Sequence, residues 1–343
     1  MDVSLFDYHL PKDFIAQKSA HPRDSARLFV VERAGLRYHD FFYNLGKYLK
    51  KGDVLVRNVT KVFPARLYAT KLTGGTIEIL LVRPLDGSRW ECLVGGRVKD
   101  GMEVKFDCRE VPMARFTKQR CVSTTWAIDF GEYIHNISQL IKQCGNTPIP
   151  PYIHSSLPEE ELREAYQTVY AHNNGSVAAP TAGLHFTDAL IEKLKHKGIE
   201  FLDITLHVGI GTFLPVKIEK AEDHTIHAEY VEIPDDVAQK ICSAKSRGSR
   251  IIAIGTTTTR GLEACADILL SGRGYTGEVD IFILPGYEFQ IIDGLITNFH
   301  LPKSTLLMLV SAFLGRETTL SCYAEAISLH YRFYSFGDAM LLL

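Results

Sequence analysis

No apolar run in this chain approaches the length that a bilayer span requires. The longest near the C-terminus, Leu306 to Val310 continuing through Ala312 to Leu314, is about half of it. The opening stretch MDVSLFDYHLPKDF carries acidic residues where a secretory signal needs a basic start and an apolar centre, so a cytoplasmic protein with no membrane contact is expected. Paired cysteine motifs are missing as well. The seven cysteines, at 92, 108, 121, 144, 242, 265 and 322, form no CxxC and lie far apart, which argues against a disulfide framework or a thiolate zinc site. Net charge is small: −2 over 343 residues excludes a chain that coats nucleic acid through its overall charge. Low-complexity tracts, long linkers and internal repeats are absent too. With 46% hydrophobic and 23% charged residues, the composition is that of a folded chain with room for two domains and a sizeable core.

What charge there is lies unevenly. Residues 57 to 120 hold 13 Lys and Arg against 7 Asp and Glu, a local +6 that leaves −8 on the remainder. A phosphate-facing patch and a solvated β surface with spare lysines would both look like this. The same region reads as β structure. Residues 54–58, 62–71, 76–82, 89–94, 102–107 and 121–129 are short, rich in β-formers and separated by Gly, Pro or Asp, which predicts an antiparallel barrel or small sandwich. After the prolines of PIPPYI (148–153) the character changes. The spacing predicts helices over 158–171, 188–197, 235–248, 261–270 and 304–315, with strands at 199–208, 250–255 and 279–284 between them. Alternation of this kind predicts an α/β body with a mostly parallel sheet. The first 50 residues contain fragments that fit the same body, which would make the β-rich middle an insertion.

Five short polar blocks stand where apolar runs stop: GSVAAPTAGLHFT (175–187), TLHVGIGTF (205–213), HTIHAEY (224–230), GTTTTR (255–260) and TNFHLPKST (297–305). They put histidines, Thr hydroxyls, an Arg and a Lys at strand and helix ends, where backbone groups and side chains converge on a ligand. Any one block reads equally well as an ordinary loop; the set predicts a pocket. GTTTTR follows a strand and precedes a helix, so its N–H groups and hydroxyls suit a carboxylate or phosphate, with Arg260 able to bind bidentately. A Thr-rich turn that merely caps the helix has the same letters. GIGTF has two glycines of a dinucleotide fingerprint but Leu214 in place of the third, so Gly209 and Gly211 are read as allowing close approach to a ligand or strand. His227 and Glu229 stand two apart, either as part of a metal site with His224 or as an acid–base pair whose carboxylate sets the imidazole tautomer. Asn298 and His300 alternate and could face one cavity, and His185 is displayed from the turn before the helix at 188.

Taken in order, the blocks FDYHLP, PRDSARL, FPARL, TGGTIEILL, IPPYI, YQTVYA, GSVAAPTAGLHFT, LHVGIGTFLPV, HAEY, GTTTTR, LPGYEF, TNFHLPKSTLLMLVSAF and FGDAML resemble the S-adenosylmethionine:tRNA ribosyltransferase-isomerases of queuosine biosynthesis, nearly end to end. Val59 and Lys61 stand where that pattern has Asp and Arg, and Thr259 where an aliphatic residue is usual. The resemblance implies an α/β catalytic domain at 1–56 and 151–343 and an inserted β-barrel domain at 57–150. It implies a reaction in which the ribosyl part of S-adenosylmethionine moves to the aminomethyl group of a 7-deazaguanine at the tRNA wobble position and rearranges to an epoxycyclopentanediol, with adenine and methionine released. S-adenosylmethionine is then a substrate, no cofactor or metal is expected, and the partner is the anticodon arm of tRNA, met by a monomer. For such chemistry a sulfonium acidifies the ribose C5′ protons, so an imidazole is a suitable base. The catalytic candidates are therefore His185, His227, Glu229 and His300. The substrate-binding candidates are Thr181, His207, Gly209, Gly211, Thr212, Phe213, Thr256, Thr257, Thr258, Arg260, Tyr287, Asn298, Phe299, Lys303 and Ser304, with Tyr287, Phe213 or Phe299 beside the sulfonium. The RNA-binding candidates are Arg66, Arg97, Lys99, Lys105 and Arg115. A conventional methyltransferase or a noncatalytic RNA-binding module are the competing readings.

Overall fold

The structure is a computed structural model that describes residues 1–33, 35–118, 125–155, 157–209, 219–224, 226 and 228–343. Among these residues a nine-stranded sheet runs, in spatial order, through Tyr275–Val279, Glu229–Ile233, Glu200–His207, Val54–Asn58, Ile251–Ile254, Gly294–Asn298, Ala339–Leu342, Arg27–Val31 and Arg37–Phe41. Four pairings are parallel and four antiparallel. The expected mostly parallel sheet is thus a mixed one, parallel through its centre from Glu200–His207 to Gly294–Asn298. Parallel neighbours need a helical crossover, whereas a strand that turns straight back, as Arg37–Phe41 does after Arg27–Val31, must run antiparallel.

Both faces of this sheet are covered, and the strands alternate between two cores. Val54, Val56, Ile251, Ala253, Phe29 and Met340 pack into one. Leu55, Ile252, Ile254, Leu28, Val30 and Leu341 pack into the other. This period-two division is why the central strands read as unbroken apolar runs.

The helices Asp188–His196, Asp235–Ser246 and Thr305–Leu314 form where predicted. Thr187 and Ser304 cap two of them by accepting the N–H of Leu190 and Leu307. The helix expected at 261–270 begins five residues earlier, as Thr256–Ala264 followed by Ala266–Leu270. Thr258 and Thr259 donate back to the carbonyls of Ile254 and Gly255, at 2.8 and 3.2 Å, which satisfies their hydroxyls inside the helix. The helix expected at 158–171 stops at Ala165. The strand expected at 279–284 lies instead at Tyr275–Val279, in register with Glu229–Ile233, while Ile281 to Leu284 pack on the core.

Strands Arg66–Lys71, Thr76–Pro84, Arg89–Gly95, Glu103–Lys105, Met113–Lys118 and Trp126–Asp129 close into an antiparallel barrel around its own core, which includes Leu67, Ile79, Leu81, Phe116 and Ile128. Pro64 splits the run expected at 62–71, and Thr60–Val62 pairs with Asn173–Ser176 where the chain leaves and rejoins the body. The barrel is therefore nested between two parts of the α/β chain, as expected, but Val54–Asn58, expected among its strands, is instead a central parallel strand of the body sheet. Val59, one of the departures from the family pattern, is buried, and its carbonyl accepts the N–H groups of His172 and Asn173.

Candidate functional site

Open α/β sheets bind ligands beyond the carboxyl ends of their parallel strands, because the connecting loops and helix N-termini meet there. At that end of this sheet lies a pocket lined by Tyr152, Tyr166, Ala178 to Ala182, Val208, Gly255 to Thr257, Thr297, Asn298, His300, Leu306, Tyr334 and Ser335. Four of the five polar blocks contribute to it. No Asp, Glu, Lys or Arg is among these lining residues.

Each wall has a local cause. Gly255 ends the strand Ile251–Ile254 with φ +94° and turns it directly into the helix, a conformation that a side chain disfavours. That turn points Thr256 and Thr257 and the helix N-terminus at the pocket, while Thr258 and Thr259 bond inward. On the neighbouring strand, Thr297 Oγ1 lies 2.8 Å from His300 Nε2. The backbone of His300 is held at both ends, its N–H donating to the Tyr323 hydroxyl at 3.1 Å and its carbonyl accepting from Tyr8. Burial pushes the His300 imidazole down to about 3, so it is neutral at pH 7. The third wall is aromatic. Tyr152 and Tyr334 meet edge to face with centroids 4.1 Å apart, and the Tyr152 hydroxyl lies 2.6 Å from Ser335 Oγ. Tyr334 adopts φ +72°, the left-handed region that costs a bulky residue energy and that structures retain mainly at functional positions. Burial raises the Tyr334 phenol to about 12 and those of Tyr152 and Tyr166 further, so all three present neutral hydroxyls.

Of the residues singled out from sequence, Thr181, Thr256, Thr257, Asn298 and His300 come together here. His185 lies immediately behind the wall: its Nε2 is 3.1 Å from Asn298 Nδ2 and its ring lies against Phe42 at 5.1 Å. Others are placed away from the pocket lining. Arg260 and Glu229 bind each other, Nη1 to Oε2 at 2.6 Å with both side chains buried. Neither is among the pocket-lining residues. His207 accepts or donates to Thr60 Oγ1 at 3.1 Å and stacks on Tyr230. Gly175, with φ +146°, lets the chain pass so close that a Cβ there would meet the His207 ring at 2.5 Å. Gly209 is half-buried beside the lining residue Val208. Tyr287 donates to Glu263, which also holds the N–H groups of Gln290, Ile291 and Ile292. Phe299 sits in a buried aromatic cluster with Tyr323, Tyr331 and Phe333. Lys303 pairs with Asp7 at 2.8 Å, and Ser304 is the helix cap. Gly211, Thr212, Phe213 and His227 lie outside the described residues.

Sequence reasoning missed the tyrosines. Tyr152 stands in IPPYI and Tyr166 in YQTVYA, so those blocks carried a signal, but nothing local distinguishes a pocket-lining Tyr from a core one. Tyr334 and Ser335 precede FGDAM at the start of the strand Ala339–Leu342, and only the antiparallel pairing of that strand with Gly294–Asn298 brings them to the same end of the sheet.

On the barrel the basic candidates divide into two groups. Arg66 lies 3.0 Å from Glu78 and donates to the Ile149 carbonyl, and Arg115 donates to Glu103 at 2.7 Å. Arg97, Lys99 and Lys105 are exposed. Lys71 Nζ reaches the Arg97 carbonyl at 3.1 Å, and Lys105 stands opposite Thr70 in the ladder, so Lys71, Arg97 and Lys105 gather at one end of the barrel.

Comparison with known proteins agrees over the whole chain. Residues 3–342 match the family model described as queuosine biosynthesis protein. The S-adenosylmethionine:tRNA ribosyltransferase-isomerases of Thermotoga maritima and Heliobacterium modesticaldum are each 49% identical to this chain, with 100% of both sequences covered. The crystal structure of the S-adenosylmethionine tRNA ribosyltransferase from Thermotoga maritima aligns with a TM-score of 0.57 at 38% identity, over 99% of this chain and 100% of that one.

Proposed function

The chain belongs to the queuosine biosynthesis protein family, and from that premise we propose that its pocket transfers and isomerises the ribosyl moiety of S-adenosylmethionine onto the 7-aminomethyl-7-deazaguanine at the wobble position of tRNA, giving epoxyqueuosine-tRNA with release of adenine and methionine. The observation that carries this reading is the composition of the pocket among the described residues: a helix N-terminus with two Thr, three neutral tyrosines and one neutral imidazole, with no charged side chain in that lining. S-adenosylmethionine presents a carboxylate and a sulfonium. The carboxylate suits the N–H groups and hydroxyls of Thr256 and Thr257, where the helix dipole favours an anion. The sulfonium suits the faces of Tyr152, Tyr166 and Tyr334, each such contact worth about 0.5 to 2 kcal/mol. These rings take the place that sequence reading gave to Tyr287 or Phe299; Phe213, the third candidate, lies outside the described residues.

Among the described residues His300 is the imidazole in the lining, with its backbone held at two points and its Nε2 oriented by Thr297. It serves as the base for the acidified C5′ proton, and being neutral it does not repel the sulfonium. The Lys71, Arg97, Lys99 and Lys105 end of the barrel holds the anticodon arm through its phosphates. The same reading makes residues 57–150 the RNA-facing domain of a monomeric, cytoplasmic enzyme that needs no cofactor. No helix among the described residues is long and apolar enough to cross a membrane.

The test is product analysis with S-adenosylmethionine and precursor tRNA. Free adenine and a heavier wobble nucleoside are expected; S-adenosylhomocysteine would replace this reading with methyl transfer, and intact S-adenosylmethionine beside bound tRNA would leave an RNA-binding module. His300→Ala should slow adenine release by about 10² to 10⁴-fold without weakening tRNA binding.

A further inference from the structure

We infer that Asn298 is a specificity-determining acceptor in this pocket, and that His185 is the positioning residue that fixes its amide rather than the base. The inference rests on the proposed reading of the pocket as the S-adenosylmethionine site. Asn298 is 2% exposed, and its backbone is pinned in the ladder opposite Ala339. Only the side-chain torsions remain to orient the amide. Nδ2 is directed to His185 Nε2 at 3.1 Å, whereas Oδ1 has no hydrogen-bond partner among the described residues. A buried amide oxygen left unpaired is costly. In a residue that lines the pocket, the missing partner is an N–H or O–H donor on the ligand.

His185 determines which end of the amide is left for the ligand. The ring stands at the end of the short helix Thr181–His185, whose start lines the pocket, and turns back against Phe42. Because Nδ2 is a donor only, the facing Nε2 must carry the lone pair and a neutral ring must hold its proton on Nδ1. A ring protonated at Nε2 would attract Oδ1 instead and turn the NH₂ toward the ligand. Burial lowers the His185 pKa to about 4, in keeping with a neutral ring.

On S-adenosylmethionine the donors in question are the exocyclic amine of adenine, the ribose 2′- and 3′-hydroxyls and the methionine ammonium. Four analogues separate them: the 6-oxopurine form, which lacks the amine, the 2′-deoxy and 3′-deoxy forms, which each lack a hydroxyl, and the desamino form, which lacks the ammonium. Base release with precursor tRNA is measured for wild type, Asn298→Ala, Asn298→Asp, His185→Gln and His185→Phe. Wild type should use one analogue at least about tenfold less efficiently than S-adenosylmethionine, the worth of one hydrogen bond. Asn298→Ala should use that analogue and the parent within about threefold of each other, and the analogue affected identifies the donor. Asn298→Asp and His185→Gln, which retain acceptors, should keep the discrimination that His185→Phe loses. An Asn298→Ala enzyme that discriminates as wild type does, or a wild type that treats all five ligands alike, overturns the inference. Loss of about 10²-fold or more in His185→Gln would return His185 to the role of base. If wild type releases no adenine from S-adenosylmethionine itself, the functional reading fails instead, and equilibrium binding of the same five ligands then tests Asn298.

Discussion

The barrel and the pocket handle polarity in opposite ways. On the barrel, Arg115 pairs with Glu103 directly across neighbouring strands, and Arg97, Lys99 and Lys105 stand in solvent with no ion-pair partner among the described residues. The α/β body keeps its critical polar groups out of water. The described lining of the pocket is neutral, His300 within it and His185 behind it are buried, and the Arg260–Glu229 pair joins the helix Thr256–Ala264 to the strand Glu229–Ile233. Solvent screens the first kind of charge, so each pair contributes little and residues can be exchanged. In the body each polar group depends on its partner, because water cannot replace a lost contact.

Acid should expose this contrast most strongly. His185 and His300 have folded values of about 4 and 3, below the ordinary ~6.5, so the fold favours their neutral forms and the unfolded chain takes up protons first. Their contribution is fully present above pH ~6.5 and is lost as pH falls through 4 toward 3, a cost on the order of 5 kcal/mol in denaturant titrations between pH 7 and pH 4. The double variant His185→Gln/His300→Gln should flatten that fall; an unchanged slope would assign it to surface carboxylates and dissolve the contrast.

Arg260→Met should come next, lowering stability by about 3 kcal/mol or more, because it leaves the Glu229 carboxylate buried without its guanidinium. On the barrel, neutralising Arg97, Lys99 and Lys105 together should weaken tRNA binding and reduce the slope of log affinity against log salt by about 2, with adenine release at saturating tRNA unchanged. Arg115→Gln should do least, below about 1 kcal/mol in stability and with a salt slope close to wild type, since Glu103 already neutralises it. An Arg115 effect equal to that of the triple variant would mean that the paired and unpaired charges of the barrel act alike.

The barrel strands and the principal helices were legible because their signals are local. Alternating β-formers between Gly and Pro turns, Ser304 and Thr187 as caps, and Gly198 and Gly248 as stops act within a few residues of where they stand. The helix start at Thr256 was not legible, because the back-bonding of Thr258 and Thr259 depends on the preceding carbonyls already being helical. The pocket was half legible. Thr181, Thr256, Thr257, Asn298 and His300 were recognisable as polar letters at the ends of apolar runs, and a strand end in an α/β chain has only one place to put them.

Which of those letters would face one another was decided by tertiary structure alone. Arg260 and Glu229 are 31 residues apart, and each looked available to a ligand until the sheet edge brought them within 2.6 Å. Tyr152 and Tyr334 enter the site from distant segments, and His185 moves behind the wall because the turn after Pro180 sends its ring toward Phe42. Periodicity and capping are properties of neighbouring residues and survive in the sequence. Pairing of side chains across a sheet depends on strand order and direction, which no short stretch of the chain contains.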